Sequence, residues 1–343
     1  MNRLRVISLS TFGMVCLCSL LLGFRDLSIG TDSQTYASYF LRTAATTGLM
    51  SSRLEVGFML LMKVISFFTT SVSLFFAVIA FISTFLLVES YKLINSAPGN
   101  RDSGSQIFFL SMLLFSSWWI TEVTNGLRQG IALAIIYFAI IKYLRVRSFR
   151  KFTILFLVSA SFHVSTLLIL PFILFYFLPL TWIALVWGIA GITYYLGFNE
   201  IIVMSVDSLL DLGLYQQIKN YAVPDNGGVA QWSGFSYLFF GYTVFWPIIL
   251  FGATIYFSKF IKDKNQIYES LRIYLILCLP YFIFGFAGYS NRYAVIAWLF
   301  IPFLQVSFIS ALNFKKYHKL YIYTIVLFIA FFYFMVFRLR LLS

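Results

Sequence analysis

The sequence predicts an all-α polytopic membrane protein with roughly ten to twelve transmembrane helices, and three observations predict it. Of its 343 residues, 61% are hydrophobic and 11% are charged, with a mean hydropathy of +0.88; soluble domains carry about 25% charged residues. The apolar residues gather in runs that approach the about 20 residues needed to cross about 30 Å of hydrocarbon. The basic residues behind the net charge of +13 sit mostly in short loops between those runs, the positive-inside pattern of membrane proteins. The same placement argues against nucleic acid as a partner, which calls for a clustered, solvated basic face.

In chain order, residues 6–23 form an apolar run behind Arg3 and Arg5 and lack a small-residue cleavage site. They read as an uncleaved first span with a cytoplasmic N-terminus. Residues 24–55 make the first outer loop, where Tyr36, Tyr39, Phe40 and Leu41 among polar neighbours predict a short amphipathic helix in the interface. The run 56–68 is too short to span. A full crossing there would also put Arg145, Arg147, Arg150 and Lys151 outside, so an interfacial or re-entrant helix is expected. Residues 73–88 cross, 95–106 form a cytoplasmic loop, 107–120 return outward, and 126–143 come back to the basic turn at Arg145.

Residues 152–178 are long for one span and short for two. A broken pair turning near His163 accounts for this, because irregular backbone at membrane depth occurs where it lines protein or water. Residues 182–196 pass outward to a large outer loop, 198–235, with Glu200, Asp207, Asp211, Asp225 and turn residues at 223–228. Residues 235–257 run inward to Lys259, Lys262 and Lys264, and 273–286 run outward to a short turn holding Asn291 and Arg292. Residues 294–312 return to Lys315, Lys316 and Lys319, and 321–337 make the last crossing. With no soluble segment or linker, residues 1–343 are expected to form a single transmembrane domain.

Polar residues that the cytoplasmic loops do not explain collect on the outer side: Arg25, Asp26, Asp32, Tyr36, Arg53, Glu55, Glu122, Asn125, Arg128, Gln129, Asn291 and Arg292. Arg128 is the most informative, since an ionisable group at the mouth of a membrane helix is costly and functional by default. Its alternative is snorkelling to the headgroups. Gly126, Gly130 and Ala134 make a small-residue face suited to packing against another helix. At about 100° per residue, Arg128 points away from that face, over Ala132, Ile135 and Ala139, toward a cavity or, as the alternative, toward lipid. Arginine offers a planar donor fork for diphosphate oxygens, and a carboxylate can take a proton from an attacking hydroxyl. His163 is either a proton carrier or donor to substrate, or a polar plug satisfied by a neighbouring carbonyl. His318, within a basic run, reads as a loop residue. Cys16, Cys18 and Cys278 lie inside apolar runs, which indicates neither a disulfide framework nor a metal cluster. No glycine-rich phosphate loop, zinc-ligand spacing or nucleophilic serine motif occurs.

Four motifs then follow one another in order and spacing: Arg25-Asp26-Leu27-Ser28-Ile29-Gly30-Thr31-Asp32 with Tyr36, Leu54-Glu55-Val56-Gly57-Phe58, Asn125-Gly126-Leu127-Arg128-Gln129-Gly130-Ile131-Ala132, and Ser161-Phe162-His163-Val164-Ser165. The ordered set resembles the EpsG family, the Wzy-type polymerases of O-antigen, capsule and exopolysaccharide. It covers the first 180 or so residues; the C-terminal half is similar in its hydrophobic layout and in Asn291-Arg292-Tyr293. Relatives often have a further N-terminal span, and a proline after the glutamate where Val56 stands here.

The resemblance implies a GT-C-like membrane domain in the bacterial inner membrane. There it would join repeat units on undecaprenyl diphosphate at the periplasmic face, without metal or other cofactor. Lipid-linked oligosaccharides would be donor and acceptor, and a chain-length regulator and a flippase would be partners. Asp32 is the first candidate for the general base, Glu55 the second and His163 the third. Arg128 and Arg292 would bind the donor diphosphate with help from Arg25, while Asn125, Gln129 and Tyr36 would orient sugar or phosphate. The alternatives are a flippase or transporter of the lipid-linked unit, with cations through the midplane, and a membrane acyltransferase modifying the glycan, with a histidine or acid reachable from the cytoplasm.

Overall fold

A backbone in hydrocarbon must satisfy its own N–H and C=O groups, and the apolar runs do so by forming helices. The computed structural model describes residues 9–48, 54–94, 103–211, 213, 215–216, 234–261 and 264–312. Among these the regular structure is helical apart from an isolated bridge between Ile261 and Leu312. The helices are α1 (Leu9–Gly23), α2 (Ser33–Ala45), α3 (Val56–Ser66), α4 (Val72–Ile94), α5 (Ser103–Leu114), α6 (Ser117–Thr124), α7 (Leu127–Val146) and α8 (Phe149–Phe162). A segment of short 3-10 and α turns over Val164–Phe177 follows, its α turn (Leu170–Ile173) being α9. Then come α10 (Leu180–Tyr195), α11 (Phe198–Leu210), α12 (Tyr237–Tyr256), α13 (Lys264–Phe284), α14 (Ser290–Trp298) and α15 (Ile301–Ala311).

Five stretches are long and apolar enough to cross a membrane: α4, α7, α12, α13 and the run Ser290–Ala311 made by α14 with α15. The number rises to seven if each bent pair is one span, α5 with α6 at 69° and α10 with α11 at 102°. The chain is thus an all-α, multi-pass membrane protein. The count among described residues falls below the sequence expectation because several apolar runs fold as half-length helices. The described part of α1, α3 and the 164–177 segment are each shorter than 18 residues. α3 has 11 residues, about 16 Å of helix, which fits an interfacial or re-entrant element and not a crossing. The expected crossing at 321–337, the basic residues before it, and Arg53 lie outside the described residues.

The described helices form two compact units, divided between Leu167 and Leu168. In the first, α4 packs between α1 and α7, and α8 folds back along α7. The core under α2 and α3 is aromatic: Phe40 stacks on Phe75 at 4.5 Å, and Phe58 and Tyr36 meet edge to face. The amphipathic helix expected in the first outer loop is α2, and its apolar face, Tyr36, Ala37 and Phe40, enters this core. Lys63 of α3 donates to the carbonyls of Thr43 and Thr46 at the end of α2, satisfying acceptors the helix leaves open. In the second unit α13 is central, buried among α10, α12, α14 and α15. Trp298 is fully buried there, with Nε1 donating to Thr243 Oγ1 at 2.8 Å. The segment read as a large outer loop begins with a helix, α11, turned away from α10 at Gly197, which has φ +77°.

Candidate functional site

The site grows out of the first turn of α7. Asn125 ends α6 and Gly126 precedes α7, so Arg128 stands where backbone N–H groups lack intrahelical acceptors. The small-residue face packs as expected: a Cβ at Gly126 would meet the Glu122 carboxylate at 2.5 Å, and one at Gly130 would meet Glu122 Cβ at 3.0 Å. Arg128 is directed elsewhere, toward α2 and α3. Its Nη1 is ion-paired with Glu55 Oε2, and its Nε donates to the Tyr36 hydroxyl at 3.2 Å. The head is therefore held by protein and not snorkelled. Nη2 has no partner among the described residues, and the side chain is 23% exposed.

Glu55 lies in extended backbone immediately before α3. Gly57 makes its position possible, since a Cβ there would collide with Ser161 Oγ and come within 2.8 Å of the Ser161 carbonyl oxygen. α3 and α8 cross at this pair, and the crossing brings Glu55, two residues before Gly57, to His163, two residues after Ser161. Helix α8 ends at Phe162, and His163 is extended with φ −159° and ψ 123°, so the expected break falls at this residue. Its Nδ1 lies 2.8 Å from Glu55 Oε1. Burial by itself would raise the Glu55 carboxyl, but the hydrogen bond with His163 and the Arg128 charge outweigh burial and hold it at about 2. Glu55 is thus a carboxylate near neutral pH, bound on both oxygens.

Asp32 precedes α2, and its carbonyl accepts from the Tyr36 N–H at 3.0 Å, so the two side chains stand one turn apart on one face. The Asp32 carboxylate is partly exposed and does not cap its helix. Its backbone N–H points at Asn125 Oδ1 at 3.4 Å, with Thr31 Oγ1 3.5 Å from the same atom. Gly30, at φ +94°, permits this approach, because a Cβ there would lie 2.6 Å from Asn125 Oδ1.

Arg25 is placed differently from its expected role. It is buried, donates to the Leu22 carbonyl at 2.8 Å, to Ser33 Oγ at 3.1 Å and to the Thr124 carbonyl at 3.2 Å, and lies 4.3 Å from the Phe76 ring centre. Burial lowers its pKa to about 10. These contacts tie the end of α1 to the start of α2 and the end of α6, which is a framework task. Gln129 is buried within α7. Arg292 belongs to the second unit, in the first turn of α14, with its guanidinium 4.5 Å from the ring centre of Tyr289.

The first unit thus joins Tyr36, Glu55, Arg128 and His163 by direct hydrogen bonds and sets Asp32 and Asn125 one turn away. Sequence reasoning missed Ser159, whose Oγ donates to the Ala132 carbonyl at 2.8 Å and pins α8 to α7 just before His163. A serine in an apolar helix beside Ser161 was the available signal. It missed Ser33 and Phe76 as partners of Arg25, for which spacing offers no signal.

Neither a curated protein nor a solved structure matches the chain. A family model described as the EpsG family matches residues 10–341, which carries the likeness well past the N-terminal motifs and through both units. The chain therefore belongs to the EpsG family, and is a membrane protein of the polysaccharide-polymerase type with a glycosyltransferase-like activity.

Proposed function

We propose that the chain is a GT-C-like polymerase of the bacterial inner membrane that works at the periplasmic face. It transfers a growing glycan from undecaprenyl diphosphate to the non-reducing-end sugar hydroxyl of a lipid-linked repeat unit. The observation that carries this is the state of Arg128: a guanidinium at a membrane-helix mouth, oriented by Glu55 and Tyr36, with Nη2 left for an anion. A donor fork so held can take the diphosphate oxygens and offset the charge that develops on them as the glycosidic bond breaks. Arginine stays charged throughout the working pH range, so this compensation requires no metal ion. Asp32 and Asn125, one turn away, are placed to take sugar hydroxyls, and two groups can accept the attacking hydroxyl's proton, Asp32 and His163.

The test is the number of repeats on the lipid carrier in cells producing Arg128→Ala. Single repeat units at the cell surface are expected, because translocation continues while joining stops. Long chains made by normally inserted Arg128→Ala protein would rule the assignment out. Cells lacking the gene and showing no surface units at all would point to a flippase.

A further inference from the structure

Glu55 lies between a guanidinium and an imidazole, and that position limits what each can do. An ionised carboxylate accepts hydrogen bonds and donates none. Its 2.8 Å contact with His163 Nδ1 therefore places a hydrogen on Nδ1, and in the neutral ring the lone pair is then on Nε2. Nε2 is hydrogen-bonded to none of the described residues. Glu55 itself is a weak proton acceptor, since both oxygens are bound and its carboxyl is held at about 2. The backbone also steadies the ring. The His163 N–H donates to the Ser159 carbonyl at 3.1 Å, and Ser159 Oγ is fastened to Ala132, one turn along α7 from Arg128.

We infer that Glu55 is a positioning residue, which holds Arg128 and sets the His163 tautomer, and that His163 Nε2 is the general base of glycosyl transfer. This rests on the polymerase reading above. In the step, the acceptor hydroxyl oxygen bonds to the donor's anomeric carbon as that carbon's bond to the phosphate oxygen breaks. The bonding pair leaves with the lipid diphosphate, beside Arg128. The hydroxyl proton passes to Nε2, and the imidazolium so formed is stabilised by Glu55, as a carboxylate does for a histidine base. Release of that proton to water or to the departed diphosphate restores the neutral ring.

The test uses the full-length protein in liposomes, with the lipid-linked repeat unit as donor and acceptor, and reads kcat and KM separately. His163→Ala is expected to lower kcat about 10²–10⁴-fold, with KM shifting less than about threefold. Added imidazole is expected to restore at least about tenfold of the lost rate, which a purely structural histidine would not show. Glu55→Gln is expected to lower kcat without rescue by imidazole. Asp32→Asn is expected to change mainly KM. If Arg128→Ala loses polymerisation while His163→Ala stays within about threefold of wild-type kcat, the inference is overturned and the polymerase reading stands. Full polymerisation by Arg128→Ala would remove the reading itself.

The tautomer gives a measurement that does not depend on an active variant. The chain has two histidines, His163 and His318, so His318→Gln leaves one ring to observe by ¹⁵N NMR. A hydrogen on Nδ1 is expected, shifting toward Nε2 in Glu55→Ala. A hydrogen on Nε2 in the protein with Glu55 intact would overturn the inference.

Discussion

Arg128 shows how a costly membrane charge is held: two of its nitrogens are bound by Glu55 and Tyr36, and the third has no partner among the described residues. A lysine there keeps the charge and loses the fork. Arg128→Lys is accordingly expected to weaken donor binding by about 10–100-fold, the worth of one or two hydrogen bonds to a charged group, read as a rise in KM. The role given to Arg128 also predicts that polymerisation in liposomes is unchanged by a chelator; loss of rate on chelation, restored by a divalent cation, would refute that. Glu55 ties the site to pH. Its carboxyl is depressed from 4.5 to about 2 in the folded chain, so the pairing contributes stability above pH 4.5 and loses it as pH falls toward 2. Thermal unfolding in detergent should separate wild type from Glu55→Gln at pH 7, and the gap should narrow below pH 4.5 and close only near pH 2. Arg128 was legible in the sequence because a single arginine among apolar residues needs an explanation. The task of Arg25 was not legible, since nothing in Arg25-Asp26 tells a buried strut from a ligand. Arg25→Ala leaves the Leu22 and Thr124 carbonyls without its hydrogen bonds and is expected to cost about 2–4 kcal/mol. Lower thermal stability with an unchanged KM would mark a framework role.

At the scale of elements, the geometry of the candidate site depends on one helix crossing. Glu55 and His163 are 108 residues apart and meet because α3 passes over α8 at Gly57 and Ser161. Both residues stood in the motifs that sequence reasoning picked out, yet order and spacing along a chain do not reveal which motifs touch. The break at His163 was readable, since a run of that length could be neither one span nor two. Helix α11 was not readable, because acidic residues spaced through 198–211 look like a solvated loop until apolar neighbours such as Ile201 and Val206 are placed on a helix. The crossing itself can be tested. A methyl group at Gly57 meets the Ser161 backbone carbonyl as well as its side chain, so trimming Ser161 cannot make room. Gly57→Ala should therefore move Glu55 off His163 and lower kcat on the order of 10²-fold, the cost of a displacement near 1 Å. The double variant Gly57→Ala, Ser161→Ala should stay impaired. Full recovery in the double variant would show that the clash is confined to the side chain and that the backbones have slack.

For the whole molecule, the sequence disclosed a multi-pass helical membrane protein through composition, apolar runs and loop charge, and disclosed the family through motifs mostly in the first half. The family match nevertheless runs from residue 10 to residue 341. That range takes in the second unit, whose buried aromatic packing around Trp298 is not visible in short motifs. The membrane face expected to hold the proposed site is predicted from charge and from α7. This helix has 20 residues, about 30 Å, enough to separate its two ends by the hydrocarbon thickness. Arg128, with the 25–33 loop fastened beside it through the Arg25 bond to Thr124, is at one end. Arg145, Arg147 and Arg150 are exposed at the other, where α7 turns into α8. The positive-inside rule predicts that the arginine-rich turn is cytoplasmic and the proposed site outside. With Cys16, Cys18 and Cys278 replaced, a membrane-impermeant thiol reagent should label Asp26→Cys in intact spheroplasts and Arg147→Cys only after permeabilisation. The opposite pattern would invert the protein and rule out the proposed periplasmic site. Labelling of both from outside would mean that α7 does not cross.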